Sequence, residues 1–254
     1  MDLGIAGRVA LVSGGSGGLG RAIATELAAE GAHVAICGRD GERLAAAVRE
    51  IDAAGPGKVR GDRLDLRDHD GVRRWVDEVA AAFGGPHIVV SNAGGPPAGP
   101  VTAFDLAAYR DAVELCLLAH IGLVQAALPR LRAAGWGRIL LVASETVRQP
   151  KPRYGLSNTV RPGLVGFAKS LVPEVGSDGV TVNVLAPGYH RTDALSRQFA
   201  DPEAGLADIA AGIPVGRVGA PADLAAAAAF LASDRAGFVT GTTLLVDGGV
   251  TLGI

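Results

Sequence analysis

The chain has 254 residues, 48% of them hydrophobic, and a formal charge of −2 with acids and bases mixed along its length. That is ample apolar material for a core covered on both sides, without the basic patch that a nucleic-acid or anionic-membrane partner needs. No basic, apolar leader opens the sequence and no apolar run nears the roughly 20 residues of a membrane span, so a cytoplasmic protein with no membrane partner is expected. Residues 8–13 form a short apolar run rich in β-branched side chains, a buried strand by pattern. Glycines follow at Gly14, Gly15, Gly17, Gly18 and Gly20. A helical pattern then covers 21–30, stopped by Gly31. Strand two is 33–37 and helix two 41–54. A less regular third strand lies within 59–66, a helix covers 69–83, and strand four is 87–91. The helical pattern over 106–134 contains Pro129, where a kink or restart is expected. Strand five covers 138–143, a helix 157–175 and strand six 180–185. A looser, partly helical stretch over 194–212 precedes a helix at 221–232, and 244–247 reads as a last strand. Cys37 and Cys116 both fall in apolar segments and read as free buried thiols. Strands alternating with helices of this length predict βαβ units in an α/β fold, a mostly parallel sheet of about seven strands. No linker divides the chain, so a single domain over 1–254 is expected.

A strand running into Ser13-Gly-Gly-Ser-Gly-Gly-Leu-Gly20 and then a helix is the arrangement that cradles a pyrophosphate. Glycine lets backbone N–H groups approach the anion, and the helix N-terminus adds partial positive charge. A site for NAD wants an acid at the end of strand two, to hold the ribose 2′-hydroxyl. This chain has Gly38 and then Arg39 there. A guanidinium beside a small residue suits a 2′-phosphate, so NADP(H) is expected over NAD(H).

These features, with four further motifs in order, resemble the short-chain dehydrogenase/reductase family, of the single-domain, oxoacyl-carrier-protein-reductase-like kind. The family's glycine loop matches Ser13-Gly14…Gly18-Leu19-Gly20. Its Asn-Ala-Gly motif is Asn92-Ala93-Gly94, and its Pro-Gly turn with a later Thr is Pro187-Gly188…Thr192. Its Asp after strand three is Asp65, and its ending is Thr240-Gly241…Asp247-Gly248-Gly249. The resemblance implies a doubly wound Rossmann-type sheet. It also implies a cofactor contacted by Ser13, Gly14, Ser16, Gly18, Leu19 and Gly20. Arg39, Asp65 and Leu66 would follow, then Asn92, Ala93, Gly94, Arg161, Pro187, Gly188 and Thr192. Residues 194–212 resemble the family's variable lid, and the family is usually tetrameric, so a homo-oligomer is expected.

The resemblance further implies a catalytic Asn-Ser-Tyr-Lys set, and here the chain departs from it. Ser144 matches the Ser, but the Tyr position holds Ser157, the Lys position Arg161 and the Asn position Cys116. Ser157 and Arg161 share a helical face at i and i+4, yet an aliphatic hydroxyl is a far weaker acid than a phenol. Arg161 stays charged and cannot shuttle a proton. Pro162 belongs in a first helical turn, which makes Ser157 or Asn158 a candidate N-cap. Tyr154 is the one phenol nearby, and Arg148, Lys151 and Arg153 could depress its pKa. His190 would come near the nicotinamide, and His120 could line the same cavity. Glu145, next to Ser144 on an extended chain, would point the opposite way. The expected activity is NADP(H)-dependent hydride transfer to or from a small carbonyl or alcohol, with a non-standard proton donor. Ser144 and Arg161 would stabilise charge, and Tyr154 or water would supply the proton. The alternatives are a non-redox lyase, isomerase or cyclase, and a silent dinucleotide-binding protein.

Overall fold

The computed structural model describes residues 2–253. Seven strands form one sheet: β1 (Val9–Ser13), β2 (His33–Gly38), β3 (Val59–Arg63), β4 (Ile88–Ser91), β5 (Gly137–Val142), β6 (Val180–Pro187) and β7 (Thr243–Val246). Their order is β3-β2-β1-β4-β5-β6-β7, and every neighbouring pair is parallel. The chain steps outward from β1 to β3, then returns to the other side of β1 with β4. That reversal opens a crevice at the carboxyl ends of β1 and β4, where sheets of this kind bind ligands. The strands read from sequence are all present, with ends shifted by a residue or two.

The helices cover both faces. On one lie α1 (Gly18–Ala29), α2 (Gly41–Asp52) and α10 (Pro221–Leu231), which bury Ile23, Leu27, Leu44, Ile51 and Leu224 against the sheet. On the other lie α3 (His69–Phe83), α5 (Ala119–Ala133) and α7 (Pro162–Val175), burying Val72, Trp75, Leu123, Ala127 and Leu164. Complete burial of a side chain of this size is worth roughly 1.5–3 kcal/mol, so both faces are firmly attached. A smaller cluster joins Ala112 and Cys116 to Leu156 and Val160, the latter two on α6 (Gly155–Val160). It anchors α6, the helix that carries Ser157, against the π-type turn described below.

Two expectations about the long helical stretch are corrected. α4 (Leu106–Val113) runs through a wide π-type turn at Glu114–Leu118 into α5, and α5 continues through Pro129 without restarting. Pro129 and Gln125, whose carbonyl it orphans, are both exposed, so water can satisfy that group. The irregularity sits instead around Cys116, one turn before His120. The same 28 residues, Leu106–Ala133, have a mean hydropathy of 1.6 over 18 of them, long and apolar enough to span a bilayer. Their most apolar face packs on α3 and the sheet through Leu123, Val124, Ala127 and Leu131.

Candidate active site

The glycine loop is built for close approach. Gly14 and Gly18 have φ of +59° and +54°, a region open chiefly to glycine. A Cβ on Gly20 would lie 2.3 Å from the Gly14 carbonyl oxygen. The N-cap of α1, Gly17, offers no side chain to the first helical turn, so those N–H groups face outward, ready for an anion. Ser13 Oγ donates to the Asn92 carbonyl at 2.8 Å and accepts from Asn92 N at 2.9 Å, stitching the ends of β1 and β4 together. Thr192 caps α8 (Asp193–Ser196) and places its methyl group opposite Gly18.

At the end of β2 a cavity of about 810 Å³ is lined by Ser16, Arg39, Asp40, Glu42, Arg43 and Arg63. Arg63 Nε donates to the Arg39 carbonyl at 3.0 Å. Arg43 and Arg63 were not among the expected residues. Arg43 lies four positions after Arg39. Arg63 arrives through the β2–β3 register, which pairs it with Gly38. Asp65 is ion-paired with Arg67 at 2.6 Å, and that hydrogen bond holds its carboxyl below the ordinary range. Leu66 is buried with the α3 side of the core.

The main cavity, about 870 Å³, opens beyond the ends of β5 and β6. Ser144, Tyr154, Ser157 and Arg161 all line it, together with Pro187, Gly188 and, from the stretch after β6, Leu195 and Phe199. The loop before it is clamped, since Gly155 N donates to the Gly99 carbonyl at 2.9 Å. Arg153, at the rim, has φ of +64°. Such a conformation costs a non-glycine residue about 1–3 kcal/mol and persists only where the surroundings impose it.

Arg161 is buried, and its Nη1 donates to the Ala143 carbonyl at 2.8 Å and to Val142 at 3.4 Å. Its Nη2 reaches the Gly94 carbonyl at 3.4 Å. Burial lowers its pKa, yet a guanidinium stays charged in any protein setting. No carboxylate among the described residues forms an ion pair with it. Ser157 Oγ is 3.0 Å from Thr146 Oγ1. Ser157 and Asn158 cap no helix: they lie inside α6, whose N-cap is Tyr154. Asn158 instead bonds both the N–H and the carbonyl of Lys151, which holds the loop 151–158 closed.

Four expectations change here. The cations near Tyr154 in sequence do not depress its pKa. Burial, then the neighbouring Tyr189 phenol and Glu145, push it up to about 12, against a weaker opposite pull from Lys151. Glu145 does not point away from Ser144. The chain leaves the strand at Val142 and turns tightly through Glu145–Val147. Ser144 Oγ thereby donates to Oε2 of Glu145 at 2.7 Å, and Lys151 Nζ donates to Oε1 at 2.6 Å. His190 packs on Gly219, its Nδ1 at 3.1 Å from the Gly188 carbonyl, and does not line the cavity. His120 is fully buried with Nδ1 at 2.9 Å from Ser91 Oγ. Burial, then the Arg161 charge, lower its pKa to about 3. Burial raises the Cys116 thiol as well, and takes Cys37 to about 12.

An all-parallel doubly wound sheet, a glycine loop at its switch point and a cavity on the same carboxyl edge define a dinucleotide-binding α/β protein. Residues 14–251 match the family described as "Enoyl-(Acyl carrier protein) reductase". The 3-oxoacyl-[acyl-carrier-protein] reductase FabG of Haemophilus influenzae is 36% identical, over 97% of this chain and 99% of that one. The 3beta-hydroxysteroid dehydrogenase 1 of Eggerthella lenta is 37% identical, over 97% and 94%. The crystal structure of L-sorbose reductase from Gluconobacter frateurii, complexed with NADPH and L-sorbose, superposes with a TM-score of 0.95. It is 32% identical and covers 100% of both chains. The chain belongs to the short-chain dehydrogenase/reductase family of oxidoreductases.

Proposed function

We propose that the protein is an NADP(H)-dependent oxidoreductase acting on a small carbonyl or alcohol, with a proton donor other than a phenol at position 157. The observation that carries this is the cavity holding Ser144, Tyr154 and Arg161 beside Pro187 and Gly188, beyond the ends of β5 and β6 on the same carboxyl edge of the sheet as the glycine loop after β1. The loop fits a dinucleotide: Gly14 and Gly18 take positive φ, and a Cβ on Gly14, Gly15 or Gly20 would strike Asn92, Ile36 or the Gly14 carbonyl, so only glycine lets the backbone turn this tightly toward an anion. Ser13, Gly14, Ser16, Gly18, Leu19 and Gly20 would hold the pyrophosphate side, and Asn92, Ala93, Gly94, Pro187, Gly188 and Thr192 the nicotinamide side. Arg39, with Arg43 and Arg63 beside it, supports NADP(H) over NAD(H), because three cations line that cavity against two acids, and Asp40 is spent on capping α2, a balance that favours a 2′-phosphate. The complex of L-sorbose reductase with NADPH agrees with that choice.

The dinucleotide, when bound, supplies or accepts the hydride. The chain's own residues place and charge-balance the substrate oxygen. Ser144 and Tyr154 are its hydrogen-bonding partners, and Arg161 stabilises negative charge at the cavity floor. Ser157, tied to Thr146, is a spacer that leaves room where a phenol would project. Titration with NADPH and NADH, followed by nicotinamide fluorescence, should show tighter binding of NADPH. Panels of carbonyls with NADPH, and of secondary alcohols with NADP+, should show absorbance change at the nicotinamide band. Tight binding without turnover on either panel would instead indicate a non-redox or silent protein.

A further inference from the structure

We infer that Ser144, Glu145 and Lys151 form the proton relay of the site, with Glu145 accepting the substrate hydroxyl proton through Ser144. This rests on the oxidoreductase reading above and deepens it. Glu145 is 6% exposed, and its two carboxylate oxygens are divided between Ser144 Oγ at 2.7 Å and Lys151 Nζ at 2.6 Å. A buried carboxylate costs several kcal/mol unless paired and hydrogen-bonded. Here both conditions are met at the wall of the cavity. Lys151 is itself held in place, with Nζ 4.2 Å from the centre of the Tyr189 ring.

The polarity of the Ser144 bonds decides what the hydroxyl can do. A serine has one proton to donate and two lone pairs. Its proton goes to Glu145, and one lone pair accepts Thr146 N at 3.2 Å. The remaining lone pair is an acceptor, which suits the O–H of an alcohol better than a carbonyl oxygen. In alcohol oxidation the substrate C–H hydride passes to the oxidised nicotinamide dinucleotide. The O–H bonding pair becomes the second bond of the new carbonyl. The proton passes to Ser144 Oγ as Ser144 gives its own proton to Oε2 of Glu145, and the carboxyl then releases it to solvent at the cavity mouth. Reduction runs the same path backwards, from a protonated Glu145.

Tyr154 does not compete for this role. Its pKa of about 12 keeps the phenol protonated, a hydrogen-bond donor to the substrate oxygen and a poor base. The charged and titratable groups facing Glu145 are Lys151, Tyr154, Tyr189 and Arg161. Of these, only Lys151 is bonded to the carboxylate. Glu145 is a positioning residue in this scheme, because it acts through Ser144.

The test compares wild type, Glu145→Gln, Glu145→Asp and Ser144→Ala on the secondary-alcohol and carbonyl panels across pH. Wild-type oxidation should rise through an acid limb. Glu145→Gln should remove that limb and lower kcat by about 10²–10⁴-fold, the range of general-base catalysis, with KM for NADP+ and the NADPH titration unchanged. Glu145→Asp should restore part of the limb. Ser144→Ala and the Ser144→Ala/Glu145→Gln double variant should match, because residues acting as one unit are non-additive. A readout without turnover is infrared difference spectroscopy of the cofactor-free protein during acidification. A protonated-carboxyl band absent from Glu145→Gln should move in Ser144→Ala. The relay is overturned if Glu145→Gln keeps the limb with kcat within about twofold of wild type, or if Ser144→Ala leaves the band in place. A wild type that turns over neither panel overturns the oxidoreductase reading and the relay with it. That result is distinct from wild type and Glu145→Gln turning over alike.

Discussion

Replacing Arg161 by Met should leave the cofactor-free protein at least as stable as wild type while weakening NADPH binding. The guanidinium is 6% exposed and has no carboxylate ion-pair partner among the described residues. An unpaired buried ion still costs several kcal/mol after relaxation. Its one strong bond, to the Ala143 carbonyl at 2.8 Å, returns about 1.5–3 kcal/mol as a charged hydrogen bond. The contacts at 3.4 Å to Val142 and Gly94 add little. Met keeps most of the side-chain volume and removes both the cost and the bond, so the balance favours the variant by about 1–3 kcal/mol. In a chain of this size each kcal/mol moves Tm by about 2–4 °C. Urea unfolding at neutral pH should show a raised midpoint at constant slope, in parallel with weaker NADPH binding by fluorescence. That combination marks a charge kept for function at the expense of stability. A loss of more than about 3 kcal/mol would refute the reasoning. It would make Arg161 a structural post joining the ends of β4 and β5.

The buried His120 should steepen acid unfolding. Its folded pKa of about 3 lies below the ordinary 6.5, so the unfolded chain binds a proton that the folded one refuses. Stability therefore falls as pH drops from about 6.5 toward 3, by a few kcal/mol in all. His120→Gln should flatten the urea-midpoint profile over that range, and an unchanged slope would count against the buried neutral imidazole. Gly38→Asp should move cofactor preference toward NADH by tenfold or more, since a carboxylate beside Arg39 opposes a 2′-phosphate, about 1.4 kcal/mol per decade. Retention of full NADPH preference would show that Arg43 and Arg63 dominate that cavity. Tyr154→Phe should lower kcat/KM roughly tenfold, the worth of one neutral hydrogen bond, and leave the acid limb in place. Loss of the limb would transfer the proton-accepting role to the phenol.

Local pattern carried most of the fold into the sequence. Every strand but β3 is built on a short apolar run, several of the helices are stopped by glycine or started by an Asp cap, and βαβ alternation leaves few sheet orders to choose from. Asp40, Asp68, Asp105 and Asp201 all cap helices. The placement of Ser144, Tyr154, Ser157 and Arg161 around one cavity was also legible, because motif spacing fixes where the chain crosses the ends of β5 and β6. What the sequence hid depends on relations that are not local. Arg63 reaches the Arg39 cavity only through sheet register. Glu145 meets Ser144 because the chain abandons strand geometry after Val142, and side-chain alternation holds only while a strand continues. The cations around Tyr154 misled for a related reason. Lys151 spends its charge on Glu145, while Arg148 and Arg153 are exposed, where solvent screens them. Charge close in sequence shifts a buried group only if it is also unspent and unscreened. At this site the carboxylate that takes the lysine is the same group that holds the serine.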